Sequence, residues 1–411
     1  MRCCGARCLL LVAVAVAGLA YIAYVPVPDD FDNPWEIRPI IWSTKLGPYL
    51  FWLGEKLGYG TELEQLRALF EKMGDMVPPD PNSSVKMTET EFDGVKVRLY
   101  EPMSRAEKPT GAFVFYHGGG WSVGSARAYD YHTRSIAEKL NIVVVSVDFR
   151  LAPEHKFPAA LDDCTAATLH LLRNAAQYNV DPNRVAIGGD SAGGNLAATV
   201  SLKLRDMKAS LRPVLQLLIY PNVQSLDLWS PSSQQNEKQN LYLGRKWMAI
   251  FKMAYALGRD GNDAIREMLF QNQHLSAKTF AKYHRYLDYV RLLDRDSIPE
   301  DFENQSTRSR PLKEPISAEF EDTITNSYFS PLLAATLREV PPACLFTAEY
   351  DPLRDEGFLY KRRLEDASVP VTHLHYIPAW HGFFSTPHRN TDIYKRLMRD
   401  ICDCLSKGLK L

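Results

Sequence analysis

Charge of one sign is missing from this chain. Its 48 Lys and Arg balance 49 Asp and Glu, a formal net charge of -1 over 411 residues. No run of Lys and Arg reaches the length that binding a phosphate backbone needs, which excludes nucleic acid as an expected partner. Cysteine is sparse as well. Cys3, Cys4 and Cys8 sit at the N-terminus and leave Cys164, Cys344, Cys402 and Cys404 for the body, from which no disulfide framework follows. Cys402 and Cys404 lie two apart on an expected helix, so they point to different faces and read as buried free thiols. No Lys-Ser or Lys-Thr follows the glycine run Gly118-Gly119-Gly120, which excludes a phosphate-binding loop. No internal repeat is visible. Hydrophobic residues at 45% and charged residues at 24% provide enough apolar material for a sizeable core.

A long uncharged run does occur at the start, from Cys8 to Val25. It is long enough to cross a bilayer, which takes about 17 to 25 residues. Arg2 and Arg7 precede it and Asp29, Asp30 and Asp32 follow, so residues 1–7 are expected in the cytosol, 8–25 as a signal-anchor span and the remainder on the lumenal side. A cleaved signal peptide is the competing reading, because Ala13-Val14-Ala15 and Ala15-Val16-Ala17 offer cleavage sites. The apolar run continues past both, which favours the anchor. Cys3 and Cys4 are palmitoylation candidates beside such a membrane. In a lumenal body, the sequons at Asn82 and Asn304 become glycosylation candidates, against the alternative of chance matches.

Residues 26–81 carry Trp35, Trp42, Tyr49, Phe51 and Trp52, with helical spacing from Leu63 to Phe70. They read as membrane-proximal cap helices, or equally as ordinary core helices. Strands are expected at Lys96–Tyr100, Ala112–Tyr116, Ile142–Val147, Val185–Ile187, Val214–Ile219, Ala343–Thr347 and Val371–Tyr376. Helices at Tyr131–Leu140, Leu161–Tyr178 and Leu196–Leu204 alternate with them, the pattern of βαβ units and a mostly parallel sheet. Residues 82–411 are therefore expected to form one α/β catalytic domain. A stretch of about 222–329 with no strong strand is too long to be a structureless loop, and is expected to be a helical insertion covering the active-site edge.

Gly189-Asp190-Ser191-Ala192-Gly193 writes G-x-S-x-G between the apolar run Val185-Ala186-Ile187 and a helix-forming stretch, the setting of a nucleophile elbow. A tight turn holding an ordinary serine is the bland alternative. Acyl transfer further needs a base, a group to orient it and donors for the oxyanion. The glycine run after His117 lets backbone N–H groups approach a substrate oxygen with no Cβ in the way. Among ten histidines, His381 follows the last strand in an expected loop and is the candidate base. His373 and His375 share one face of that strand and read as structural, since no third ligand is spaced to make a metal site with them. Asp351 follows the strand Ala343–Thr347 and is the candidate orienting acid. Asp355 is second, with a helix start as its expected place.

Taken together these residues resemble the hormone-sensitive-lipase group of α/β hydrolases, and within it the arylacetamide deacetylase family. The likeness rests on Tyr24-Val25-Pro26, His117-Gly118-Gly119-Gly120-Trp121, Phe149-Arg150-Leu151-Ala152-Pro153, Gly189 to Asn195, Ile219-Tyr220-Pro221, Ser330-Pro331-Leu332 and Asp351-Pro352-Leu353-Arg354-Asp355. It implies an α/β-hydrolase fold with a helical cap, a Ser191-Asp351-His381 triad, and an oxyanion hole from the N–H groups of Gly119, Gly120 and Ala192. It also implies a lumenal domain on a signal anchor of the endoplasmic reticulum. The expected activity is hydrolysis of lipophilic carboxylic esters, with arylacetamides as a second class, through an acyl-serine intermediate and with no cofactor. A silent ligand-binding module and an acyltransferase are the alternatives. Ile377-Pro378-Ala379-Trp380 stands where relatives show an acidic, Gly-Phe-containing segment, and the insertion diverges beyond Asn236, so substrate identity does not carry over.

Overall fold

The central strands are apolar almost without interruption, and such strands have to be buried on both faces. In the computed structural model this is their position. It describes residues 34–75, 81–104, 108–239, 243–259, 263–271, 273–295, 317–385 and 391–411, with short stretches before 34 and single positions at 298 and 302. The strands are β1 (Val85–Phe92), β2 (Val95–Pro102), β3 (Thr110–Tyr116), β4 (Val143–Val147), β5 (Val180–Asp190), β6 (Leu215–Ile219), β7 (Ala343–Tyr350) and β8 (Val371–Trp380). They form one sheet in the order β1-β2-β4-β3-β5-β6-β7-β8. β1, β2 and β4 pair antiparallel, and every pair from β4 through β3 to β8 is parallel.

Strand alternation sorts the core into two layers. Ala112, Val114 and Tyr116 of β3 join the apolar cluster on one face, while Phe113 and Phe115 join the cluster on the other. The first face is covered by α4 (Ala159–Arg173) and α5 (Ala192–Asp206), the second by α3 (Asp130–Leu140) and α13 (Asp392–Leu409). In α13 the buried residues Leu397, Met398, Ile401, Leu405 and Leu409 recur at helical spacing, and Thr391 caps its start by accepting from the Tyr394 N–H.

Two expectations need correction. No strand was expected at Val85–Phe92. β1 is a sheet edge whose Lys86, Glu89 and Glu91 are exposed, and that polar composition, useful against edge-to-edge association, hides it from a search for apolar runs. Cys404 is not a free thiol: it is disulfide-bonded to Cys344 of β7. Cys402, two positions away, is buried and free, as is Cys164. The partners are 60 residues apart in sequence and meet only because α13 packs back across the sheet.

Before the sheet, α1 (Pro34–Lys56) and α2 (Glu62–Asp75) form a helical hairpin. The Gln65 side-chain amide closes it by donating to the carbonyls of Phe51 and Gly60, each at 2.9 Å. Between β6 and β7 the described residues hold α6 (Pro231–Gln239), α7 (Arg245–Leu257), α8 (Asp263–Phe270), α9 (Ala277–Tyr283), α10 (Tyr289–Leu292) and α11 (Ala318–Thr325), and no strand. Of the run Cys8–Val25, only a few helical positions are described. Among the described residues no helix is long and apolar enough to cross a membrane. Cys3, Cys4 and Asn304 lie outside the described residues, and Asn82 is exposed in a turn ahead of β1.

Candidate active site

A parallel sheet presents the loops at the carboxyl ends of its strands on one edge, and open α/β sheets place their sites there. The candidate nucleophile, acid, base and glycine loop leave from those ends: His117 after β3, Ser191 after β5, Asp351 after β7 and His381 after β8. Ser191 occupies the one-residue turn between β5 and α5 with φ 53° and ψ -116°, a conformation that a non-glycine residue adopts only under constraint. The constraint comes from close backbone packing. A Cβ at Gly189 or at Gly193 would run into the carbonyl oxygen of Tyr116, so glycine at both positions lets the elbow sit against the end of β3.

Three side chains that are distant in sequence make one hydrogen-bonded line. Ser191 Oγ lies 2.9 Å from His381 Nε2, and His381 Nδ1 lies 2.9 Å from Asp351 Oδ2. The other Asp351 oxygen accepts from the Leu353 N–H at 2.7 Å, and Asp351 is fully buried. The His381 ring packs against Tyr220 with centroids 4.7 Å apart. Asp355 is elsewhere, in the first turn of α12 (Arg354–Asp366), where it accepts from the Ser232 N–H at 2.6 Å and pairs with Arg354. His373 and His375 both lie 2.9 Å from Thr347 Oγ1, and His375 Nε2 reaches Glu349 at 3.0 Å. Burial pushes His373 down to about 4, and neither ring contacts Ser191.

The glycine loop turns back on itself beside the elbow. Gly119 and Gly120 have φ of 113° and 59°, the region that favours glycine, and the Gly119 carbonyl accepts from the N–H groups of Ser122 and Val123. Among the described residues no backbone carbonyl accepts from the N–H groups of Gly119, Gly120 or Ala192. The fully buried His117 donates from Nδ1 to the Gly118 carbonyl at 2.8 Å and stacks on Phe149, with burial lowering its pKa.

Residues outside the sequence expectations hold this loop. Asp190, which precedes the serine, accepts from the Gly118 N–H at 2.8 Å and from the hydroxyls of Tyr129 and Tyr220 at 3.0 and 3.2 Å. Burial pushes its carboxyl up to about 6, against the lowering effect of those hydrogen bonds. The signal was present as an acidic residue inside G-x-S-x-G. Arg67 of α2 donates to the carbonyls of Ser122 and Ala152 at 2.9 and 2.7 Å while paired with Glu154. Phe251 of α7 covers the position that a Cβ on Gly120 would occupy. Nothing local in the sequence marks either contact. Behind the acid loop, Lys252 and Glu356 lie 4.0 Å apart in the interior, and Glu356 also accepts from the N–H groups of Val223 and Gln224.

Comparison with known proteins agrees with this arrangement. The family described as the alpha/beta hydrolase fold matches residues 113–284 and 307–385. The chain is 33% identical to arylacetamide deacetylase of Rattus norvegicus over 97% of its own length and 99% of that protein. It is 34% identical to neutral cholesterol ester hydrolase 1 of Mus musculus over 91% and 92% of the two chains. Among solved structures, a bacterial heroin esterase matches with a TM-score of 0.64 and 26% identity over 84% of this chain and 92% of that one. The fold and site define an α/β hydrolase of the esterase class. The chain belongs to the α/β-hydrolase family, in the group of arylacetamide deacetylase and neutral cholesterol ester hydrolase, and is a carboxylic ester hydrolase.

Proposed function

We propose that the protein cleaves lipophilic carboxylic esters, and arylacetamides as a second class, through an acyl-Ser191 intermediate, with Ser191, His381 and Asp351 as the triad. The observation that carries this is the unbroken contact from Ser191 Oγ through both His381 nitrogens to Asp351. Ser191 Oγ attacks the carbonyl carbon as its proton passes to His381 Nε2, and buried Asp351 holds the other nitrogen and balances the imidazolium. The N–H groups of Gly119, Gly120 and Ala192 stabilise the oxyanion. Collapse of the tetrahedral species breaks the carbonyl-to-leaving-group bond, and the His381 proton goes to the departing alcohol or amine. Water then repeats the sequence on the acyl-serine and releases the acid. His381 seated on Ser191 argues against the silent binding module. Added alcohol, with product analysis, separates hydrolase from acyltransferase.

The same reading places the catalytic domain in the lumen of the endoplasmic reticulum on the anchor Cys8–Val25, with Asn82 and Asn304 as glycosylation sites. The Cys344–Cys404 disulfide supports an oxidising compartment. The test is hydrolysis of a short and a long p-nitrophenyl ester by membranes carrying wild type or Ser191→Ala. Loss of the nucleophile should cost about a million-fold in kcat, leaving background. Turnover at the wild-type rate by the variant would refute the acyl-Ser191 mechanism.

A further inference from the structure

The outer face of α1 is largely apolar, with its charges at the edge, where the Arg38 guanidinium lies 4.3 Å over the Trp35 ring and Lys56 is exposed. Trp35, Pro39, Ser43, Leu46, Leu50 and Leu53 are all exposed, as is Leu57 just past the helix end, and their spacing of four and three residues puts them on one side of the helix. Tyr49 and Trp52 flank this stripe, and Tyr49 and Trp35 are 72% and 68% exposed. Most single exposed apolar residues need no explanation, but a continuous stripe along a helix does.

The inner face of the same helix lies along the rim of the site. Ile37 and Ile41 are buried in the cluster that contains Tyr350 and Trp380, the neighbours of Asp351 and His381. Farther along, Phe51 meets Trp247 edge-on at 6.1 Å, and Trp247 stacks at 5.6 Å on Phe251, the ring against Gly120. The Lys246–Glu62 ion pair at 2.6 Å and the contacts of Arg67 fix the hairpin to the cap and the glycine loop. α1 is therefore packed on the site side and exposed on the other.

We propose that the Leu46-Leu50-Leu53-Leu57 face of α1 rests in the interfacial layer of a lipid bilayer, so that the rim of the site receives apolar esters from lipid. Two observations select lipid over a protein partner. Trp, Tyr and the basic Arg38 and Lys56 border an aliphatic stripe, the composition of an interfacial helix. In the sequence, the apolar run Cys8–Val25 ends only a short stretch before Pro34, which brings any bilayer holding that run to the start of α1.

The test uses the full chain reconstituted in phosphatidylcholine vesicles with brominated acyl chains. Tryptophan quenching is compared between wild type and Trp35→Phe/Trp52→Phe, and the quenched fraction is expected to fall in the variant. In parallel, Leu50→Glu/Leu53→Glu should hydrolyse a long-chain ester embedded in the vesicles about tenfold more slowly, through loss of apolar contact. Its rate on a soluble short-chain ester should stay within about twofold, as expected for a change remote from the chemistry. Unchanged quenching overturns the proposal. With it, a shift from dimer to monomer in Leu50→Glu/Leu53→Glu assigns the face to a second copy, and no shift assigns it to the chain's own N-terminal segment. Equal losses on both esters also overturn it. The kinetic arm rests on the proposed ester hydrolysis, whereas quenching does not, so an inactive wild type with lipid-quenched Trp35 and Trp52 would remove that function and leave the docking in place.

Discussion

Asp190 sets two demands against each other, and replacing it separates them. Its carboxyl holds the glycine loop through the Gly118 N–H, and being buried pushes its pKa from 3.8 to about 6. The native value lies above the unfolded one, so the stability this group contributes is full below pH 3.8 and is lost as pH rises through about 6. At 1.36 kcal/mol per pKa unit the loss is about 3 kcal/mol. Asp190→Asn keeps an oxygen for Gly118 and never ionises, so relative to wild type it should gain stability across that pH range, by up to about 3 kcal/mol. Asp190→Ala removes the acceptor altogether. If the glycine loop holds the oxyanion as proposed, releasing it should cost about 100 to 1,000-fold in kcat, and Ala should fall in that range while Asn stays within about tenfold. Urea midpoints from pH 4 to 7, with steady-state kinetics on a soluble ester, read both effects. A wild-type-to-Asn difference that stays flat with pH would refute the buried-charge argument. Equal kcat for Asn and Ala would refute the anchoring of the loop.

Gly120→Ala drives a Cβ into the Phe251 ring at a positive φ, so kcat should fall by about 100-fold, and adding Phe251→Ala should recover part of it in the same assay. Lys252→Met leaves Glu356 buried without its cation, a change that costs about 3–5 kcal/mol in urea unfolding. Burial already raises Glu356 to about 7 with Lys252 opposing it, so the deficit should widen as pH rises above that value. Cys404→Ser opens a bridge across 60 residues, which by chain entropy should cost about 4 kcal/mol. Thiol reductant should lower the Tm of wild type to match, and an unchanged Tm would refute that contribution.

The parallel core strands were legible because each is a dense apolar run, and Ser191, Asp351 and His381 because each follows such a run in an order that one sheet edge can gather. β1 was not, since an edge strand built from Lys and Glu carries little of that signal. The disulfide escaped for a different reason. Cys402 and Cys404 are nearly interchangeable along the chain, and only the docking of α13 decides which one faces β7. Arg67 and Phe251 reach the glycine loop from the N-terminal hairpin and from the insertion. Their roles come from tertiary placement, which no local spacing records.

That placement also separates chemistry from selectivity. The proposed triad hangs from β5, β7 and β8, and the elbow is fixed by packing of Gly189 and Gly193 on Tyr116, so the sheet sets where the nucleophile stands. The glycine loop depends on three other sources: Asp190 beside the elbow, Arg67 from α2 and Phe251 from α7. A change in the insertion or in the N-terminal hairpin can therefore move the proposed oxyanion donors while leaving Ser191, His381 and Asp351 in contact. Substitutions at Phe251 or Trp247 should thus alter the ratio of rates on short and long esters while Ser191 stays reactive toward a fluorophosphonate. Substitutions that disturb the sheet beneath the elbow should lower both together. A Phe251→Ala variant whose labelling rate and ester rates all fell by one common factor would show that the cap acts on the triad itself.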